Sequence, residues 1–237
     1  MSYNKTIWSK GDTITAQKLN NIESGIENSF TFLDQLKGII DKSITSVTIP
    51  AGITKIGKGS FSGYESIETV TIPSSVTSIE SNAFAGCTSL KTVTIPSGVT
   101  SIGKYVFSGC AALKAATIQA NVTTIGTNMF AGCVALETVT IPSGVTSIES
   151  YAFSGCTSLK TVTIPSGVTS IERDTFSGCV SLNSMYLYSN TPPTVASGAL
   201  GGVPETCNIY VPAASVSAYK ASSGWSSRAA YIQAMPE

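Results

Sequence analysis

Between Ile44 and about Leu182 the chain writes one phrase six times with a period of 23 residues. Phe61, Phe84, Phe107, Phe130, Phe153 and Phe176 stand one period apart, each opening a Phe-(Ser/Ala)-Gly-x tetrad. The tetrad closes on Tyr64 in the first copy and on Cys87, Cys110, Cys133, Cys156 and Cys179 in the others. A Leu-x-x-Val-Thr-Ile-Pro-Ser-Gly-Val-Thr-Ser-Ile phrase joins the tetrads, clearest at Leu90 to Ile102, Leu136 to Ile148 and Leu159 to Ile171. A unit this short cannot enclose a core alone, so a fixed period of this length demands a stack in which each copy buries its apolar face against its neighbours.

One unit can be read residue by residue. In Thr92-Val93-Thr94-Ile95 apolar residues alternate with threonines, the period-two pattern of a short strand with one face buried. Pro96 and its counterparts Pro50, Pro73, Pro142 and Pro165 have no N–H to give a ladder, so the strand ends there and a Ser-Gly pair completes a corner. Val99 to Ile102 offers a second short extended segment, and the residues up to Phe107 carry the chain round to Ser108, Gly109 and Cys110. Stacking brings like residues into rows about 4.8 Å apart, so leucine, Val/Ile, phenylalanine and cysteine rows make one long core.

This phrase resembles the leucine-rich repeat, specifically the bacterial surface-antigen (BspA-like) subtype, over about 145 residues. It departs from the common leucine-rich consensus, because Gly98 and Gly144 stand where an asparagine ladder usually runs. The BspA-like subtype lacks that ladder and carries the Phe-x-x-Cys ending. The resemblance implies an α/β solenoid, a leucine-rich-repeat stack of short parallel strands over residues 41–188; on either side stand an N-terminal attachment segment, read as a helix or coiled coil, over 1–40 and a capping segment over 189–237.

Charged residues make up 12% of the chain, against an average of about 25%. The 14 basic and 14 acidic residues cancel and form no basic stripe, which disfavours nucleic acid and anionic membrane as partners. Six cysteines would allow disulfides. Five of them share one repeat position beside the phenylalanine row, however, which reads as a small buried hydrophobe. No Cys-x-x-Cys pair and no histidine exist, so no metal site is expected.

The first residues show no basic segment leading into an apolar run, so no secretory signal is expected, and nothing nears the roughly 20 apolar residues of a membrane span. From Thr15, a plausible N-cap, apolar residues fall at Leu19, Ile22, Ile26, Leu33, Leu36 and Ile40. Counting Ser29 as the one polar interruption, these alternating steps of three and four give either a short heptad seam or one amphipathic helix closing the solenoid's open end. Mixed Leu and Ile at both seam positions suit a homotrimer. The stretch Trp8 to Ile26, through Trp8, Gly11, Asp12, Ile14, Thr15, Ala16, Lys18 to Glu23, Gly25 and Ile26, resembles the virion-proximal segment of fibre and baseplate-associated proteins of phages and phage-derived particles. That resemblance implies docking to a virion tail, baseplate or capsid protein, and so a virion location; the alternative is a BspA-like adhesin at the bacterial cell surface.

Beyond the last full unit, Leu182 to Tyr188 keeps the strand phrase, with Met185 and Leu187 inward and Tyr186 and Tyr188 outward. Asn190 to Pro204 reads as a Pro- and Gly-rich connection, Asn208 to Pro212 as a strand, Ala213 to Ala221 as a short helix and Tyr231 to Gln233 as a final extended piece over Trp225. The Ile209 to Lys220 phrase with Trp225 resembles the closing segment of many BspA-like repeat proteins.

No catalytic constellation is legible: there is no Gly-x-Ser-x-Gly, phosphate-binding glycine loop or paired acid motif, so neither enzyme activity nor a cofactor is expected. Glu80, Glu149 and Glu172 recur at one position that Gly57, Gly103 and Gly126 fill elsewhere, and they read as a solvated face. One column changes while its surroundings stay fixed: Gly59, Asn82, Tyr105, Asn128, Tyr151 and Asp174. Tyrosine and asparagine on a rigid scaffold suit recognition. Tyr105, Asn128, Tyr151 and Asp174, with Tyr186 and Tyr188, are therefore the candidate contacts for a host-surface glycan or protein, the other reading of the column being drift at a solvent-facing position.

Overall fold

The computed structural model describes residues 45–236. The segment 1–40, with its heptad positions and phage-like stretch, lies outside the described residues.

Each 23-residue copy makes one turn of a solenoid, and every strand pairing is parallel. One row of strands comprises β1 (Ser46–Thr48), β3 (Thr69–Thr71), β5 (Thr92–Ile95), β7 (Ala115–Ile118), β9 (Thr138–Thr140), β11 (Thr161–Ile164), β13 (Ser184–Leu187), β15 (Asn208–Val211) and β16 (Ile232–Ala234). The other comprises β2 (Lys55–Ile56), β4 (Ser78–Ile79), β6 (Ser101–Ile102), β8 (Thr124–Ile125), β10 (Ser147–Ile148), β12 (Ser170–Ile171) and β14 (Thr194–Val195). The register steps by one period, Val93 facing Ala116 and Ile95 facing Ile118. The outward threonines of β5 are exposed while Val93 and Ile95 are buried, as alternation requires. Between the rows, Pro96 ends β5 and its carbonyl accepts the Val99 N–H at 3.1 Å, a tight turn repeated at Pro73, Pro142 and Pro165.

The return path is built from turns. Phe107 donates its N–H to the Met129 carbonyl at 2.9 Å and Gly109 to that of Ala131 at 2.7 Å, so this side is tied to the next coil without a strand. Gly109 has φ +72°, a left-handed conformation glycine adopts freely, and Gly86, Gly132, Gly155 and Gly178 match it; hence the constant Gly of the tetrad. The phenylalanines form a buried ladder with ring centroids 5.1 to 5.6 Å apart and planes within 11°.

All six cysteines are free and buried, the five of the repeat position as that position implied and Cys207 in the C-terminal part as well. Each thiol of the row also donates to the phenylalanine carbonyl one coil back, at 3.1 to 3.2 Å. That carbonyl already accepts an N–H within its own coil, Cys87 to Phe84 for example at 3.2 Å, so both its lone pairs are used. Burial pushes the Cys87 and Cys179 thiols up to about 12 and Cys207 to about 11, and raises Cys110, Cys133 and Cys156 well above the ordinary thiol value.

The segment 190–204 is corrected: it is a further coil. β14 pairs with β12, Ser170 opposite Thr194, and Phe176 donates to the Ala199 carbonyl at 2.9 Å. Leu200 and Val203 take the places of phenylalanine and cysteine. The step here is 24 rather than 23, and the same offset places Ser184 opposite Asn208. The added residue falls in Tyr188–Pro193, at the corner that other coils turn with Pro-Ser-Gly. Beyond it, β15, a 3-10 turn (Ala213–Ser215), the helix α1 (Val216–Ala221), a second 3-10 segment (Ser226–Tyr231) and β16 cover the last coil. Trp225 is buried and donates Nε1–H to the Pro193 carbonyl at 2.8 Å, and Arg228 ties down the Val203 and Pro204 carbonyls at 2.9 and 2.6 Å. Among the described residues α1 is the sole α-helix, so the solenoid itself is built of strands and turns.

Candidate recognition surface

The variable column lies at the corner where each coil leaves its second strand for the phenylalanine turn. Every residue in it is left-handed: Gly59 at φ +65°, Asn82 at 60°, Tyr105 at 61°, Asn128 at 56°, Tyr151 at 61° and Asp174 at 53°. Gly198 continues the column at φ +72°. The chain needs this reversal because the column N–H must reach the next coil, Tyr105 to the Thr127 carbonyl at 3.0 Å and Tyr151 to that of Arg173 at 3.0 Å. Glycine, asparagine and aspartate tolerate this region, whereas a side chain without that tolerance costs about 1–2 kcal/mol there. Backbone geometry therefore explains four column members of the six as well as Gly198, and leaves Tyr105 and Tyr151 unexplained by it.

Tyr105 is 40% exposed; Tyr151, Asn128 and Asp174 are half-buried. The stack sets Tyr105 between Asn82 and Asn128, with Tyr151 two coils on, about 10 Å away along the axis. Asp174 accepts from Arg173 Nε–H at 3.3 Å.

Tyr186 and Tyr188 belong to a different place, the outer face of the first strand row at the C-terminal end. Both point outward, and Tyr188 is 52% exposed. Tyr186 stacks on Tyr210, centroids 4.7 Å apart and planes within 14°, beside an Asn208–Gln233 side-chain hydrogen bond of 3.0 Å. Sequence reasoning missed Tyr210, because the 24-residue step from Tyr186 hides it from a strict period of 23. The six candidate residues thus fall into two groups on separate faces.

The glutamate column is more than a solvated face. Glu80 accepts the Lys58 N–H at 2.8 Å and pairs with Lys55 Nζ at 2.5 Å; the Lys55 hydrogen bond, helped by the Lys58 N–H, outweighs slight burial and holds its carboxyl below the usual range. Glu149 accepts the Thr127 N–H at 3.0 Å. These two carboxylates each cap an N–H of the coil before, whereas Glu172 accepts the Ser170 hydroxyl of its own coil at 2.7 Å. Gly103 breaks the pattern out of necessity, since a Cβ there would lie 2.4 Å from the Ser81 nitrogen.

Residues 40–160 and 128–221 match the family model described as the BspA type leucine rich repeat region, in six copies. The chain belongs to the BspA-type leucine-rich repeat family. Among solved structures it is similar to the T. pallidum leucine rich repeat protein, 29% identical with a TM-score of 0.65, over 71% of this chain and 82% of that one. It is also similar to a leucine-rich repeat protein from Eubacterium ventriosum, 28% identical with a TM-score of 0.60, over 69% of this chain and 45% of that one. The chain thus spans less than half the length of the latter. A third similarity, 27% identity with a TM-score of 0.46 over 88% of this chain and 63% of that one, is to a leucine rich cell surface protein from Faecalibacterium prausnitzii. No curated protein matches.

Proposed function

We propose that this BspA-type chain is a non-enzymatic recognition module of the bacterial cell-surface adhesin kind, whose corner column meets a surface glycan or protein. One observation carries the reading: Tyr105 and Tyr151 hold φ of 61° where asparagine, aspartate or glycine would sit with less strain. Strain kept at a rigid, repeated position marks a place where the side chain is used. Two tyrosine rings offer large contact area at small entropic cost.

The test is retention of the fluorescently labelled full chain on a printed array of host and bacterial surface glycans and matrix proteins, beside Tyr105→Asn/Tyr151→Asn. Retention of the parent and its loss in the variant is the expected outcome. Equal retention of both, or none of the parent on any spot, overturns the reading.

A second reading rests on the Trp8 to Ile26 stretch: the same module carried as a fibre on a phage or phage-like particle, docked and trimerised through residues 1–40. Linked copies would gain avidity. Antibody detection separates the two, the protein following the cell envelope in the first and sedimenting with particles in the second.

A further inference from the structure

Beside Tyr105 lies an open groove of about 430 Å³, whose lining includes Lys58, Glu80, Asn82, Ser101, Lys104 and Tyr105. Gly103 lies in its wall. In that coil no side chain can stand in the glutamate column, because a Cβ would lie 2.4 Å from the Ser81 nitrogen and 2.8 Å from the Glu80 carbonyl carbon. The neighbouring coil carries Glu80 at this position, and this one carries no side chain. A volume of this size is in the range of small-ligand sites.

The groove is mixed in chemistry. Tyr105 forms one wall, 40% exposed on its left-handed corner, and Asn82 holds the corner one coil earlier. Ser101 and Asn82 supply neutral donors and acceptors. Glu80 is engaged already by Lys55 Nζ at 2.5 Å and by the Lys58 N–H at 2.8 Å. Counting Lys55, Lys58 and Lys104 against Glu80 leaves three positive charges facing one negative, a surplus of two in a chain with no net charge. An aromatic wall, an amide, a hydroxyl and two ammonium tips make a set that stacks a sugar ring, bonds its hydroxyls and meets an acid group.

The geometry points to a binding site for a short acidic saccharide, the sugar ring on Tyr105 and its carboxylate between Lys58 and Lys104. This assignment rests on the recognition reading above and names the ligand class for one stretch of the corner column. A neutral saccharide would leave both ammonium groups unanswered, and an acidic peptide would have no use for the tyrosine wall.

Calorimetric titration of the full chain tests it with four probes: tetragalacturonate, its neutral methyl ester, 3′-sialyllactose and lactose. At least one acidic probe should bind and its neutral partner should not, with affinity falling as salt rises. Lys58→Gln/Lys104→Gln should weaken that binding about tenfold or more, and Tyr105→Asn about fivefold with a melting temperature no lower than the parent's. Neither acidic probe binding, neutral partners binding as well as acidic ones, or variants that bind like the parent would overturn the assignment. Should the parent be retained on the surface array while all four probes fail, this assignment alone falls; failure on the array as well takes the recognition reading with it.

Discussion

Tyr105 and Tyr151 carry a left-handed backbone that asparagine already occupies in the same column at Asn82 and Asn128. Replacing either tyrosine by asparagine should therefore stabilise the fold by about 1 kcal/mol, read as an upward shift of the denaturant midpoint at unchanged slope. A lowered midpoint would mean the ring packs rather than waits for a partner. Phe130 is the opposite case: fully buried between Phe107 and Phe153 with centroids 5.6 and 5.5 Å away, it should cost about 3–5 kcal/mol as alanine. The recurrence of phenylalanine and cysteine was readable because burial admits few substitutes, and periodicity exposes such positions directly. The corner was legible as a varying column but not as a left-handed one, since Gly, Asn, Asp and Tyr share no chemistry that declares φ. The thiol bonds to the phenylalanine carbonyls were illegible too, for they join residues 26 apart, one coil and three residues, and no repeat phrase records a hydrogen bond.

The cysteine row makes its own prediction as an element. An unfolded thiol loses its proton near its ordinary value of 9, whereas the buried ones hold theirs to about 11 or beyond. Between those values the folded chain binds more protons than the unfolded one, so stability falls as pH rises, by about 1.4 kcal/mol per thiol per pH unit. Stability contributed by protonated thiols is thus fully present below pH 9 and drains away above it. Alkaline unfolding followed by tryptophan fluorescence should be steep, with nearly six protons released between pH 9 and 11; Cys110→Ala/Cys133→Ala should release about two fewer. An unchanged proton count would place those thiols in water. The C-terminal cap is the other element that decides stability. Trp225→Phe keeps much of the apolar bulk but removes the Nε1–H that binds the Pro193 carbonyl at 2.8 Å, leaving a buried acceptor unmet. A loss of about 1–3 kcal/mol is expected in chemical denaturation. The cap's strand, helix and final strand were readable from local pattern, Asn208 to Pro212 and Ala213 to Ala221 above all. The coil at 194–203 was not, because Leu200 and Val203 replace the two marker residues and one added residue breaks the period.

At the scale of the whole molecule, a single period generates the strand rows, the phenylalanine and cysteine ladders, and a corner column that the core does not specify. Fixed rows hold the stack while the corner is free to differ from coil to coil, which is how a repeat fold can present recognition chemistry without disturbing its own core. Amide hydrogen exchange on the full chain tests that account most directly. The phenylalanine amides donate to the next coil at 2.8 to 2.9 Å from Phe61 through Phe176, and Gly178 does the same into the 194–203 coil at 2.7 Å. Protection maxima should therefore recur every 23 residues from Phe61 to Phe176 and persist across the coil at 194–203. Protection without that recurrence, or free exchange of Phe176 and Gly178, whose acceptors lie in the 194–203 coil, would contradict a stack built of one coil per repeat.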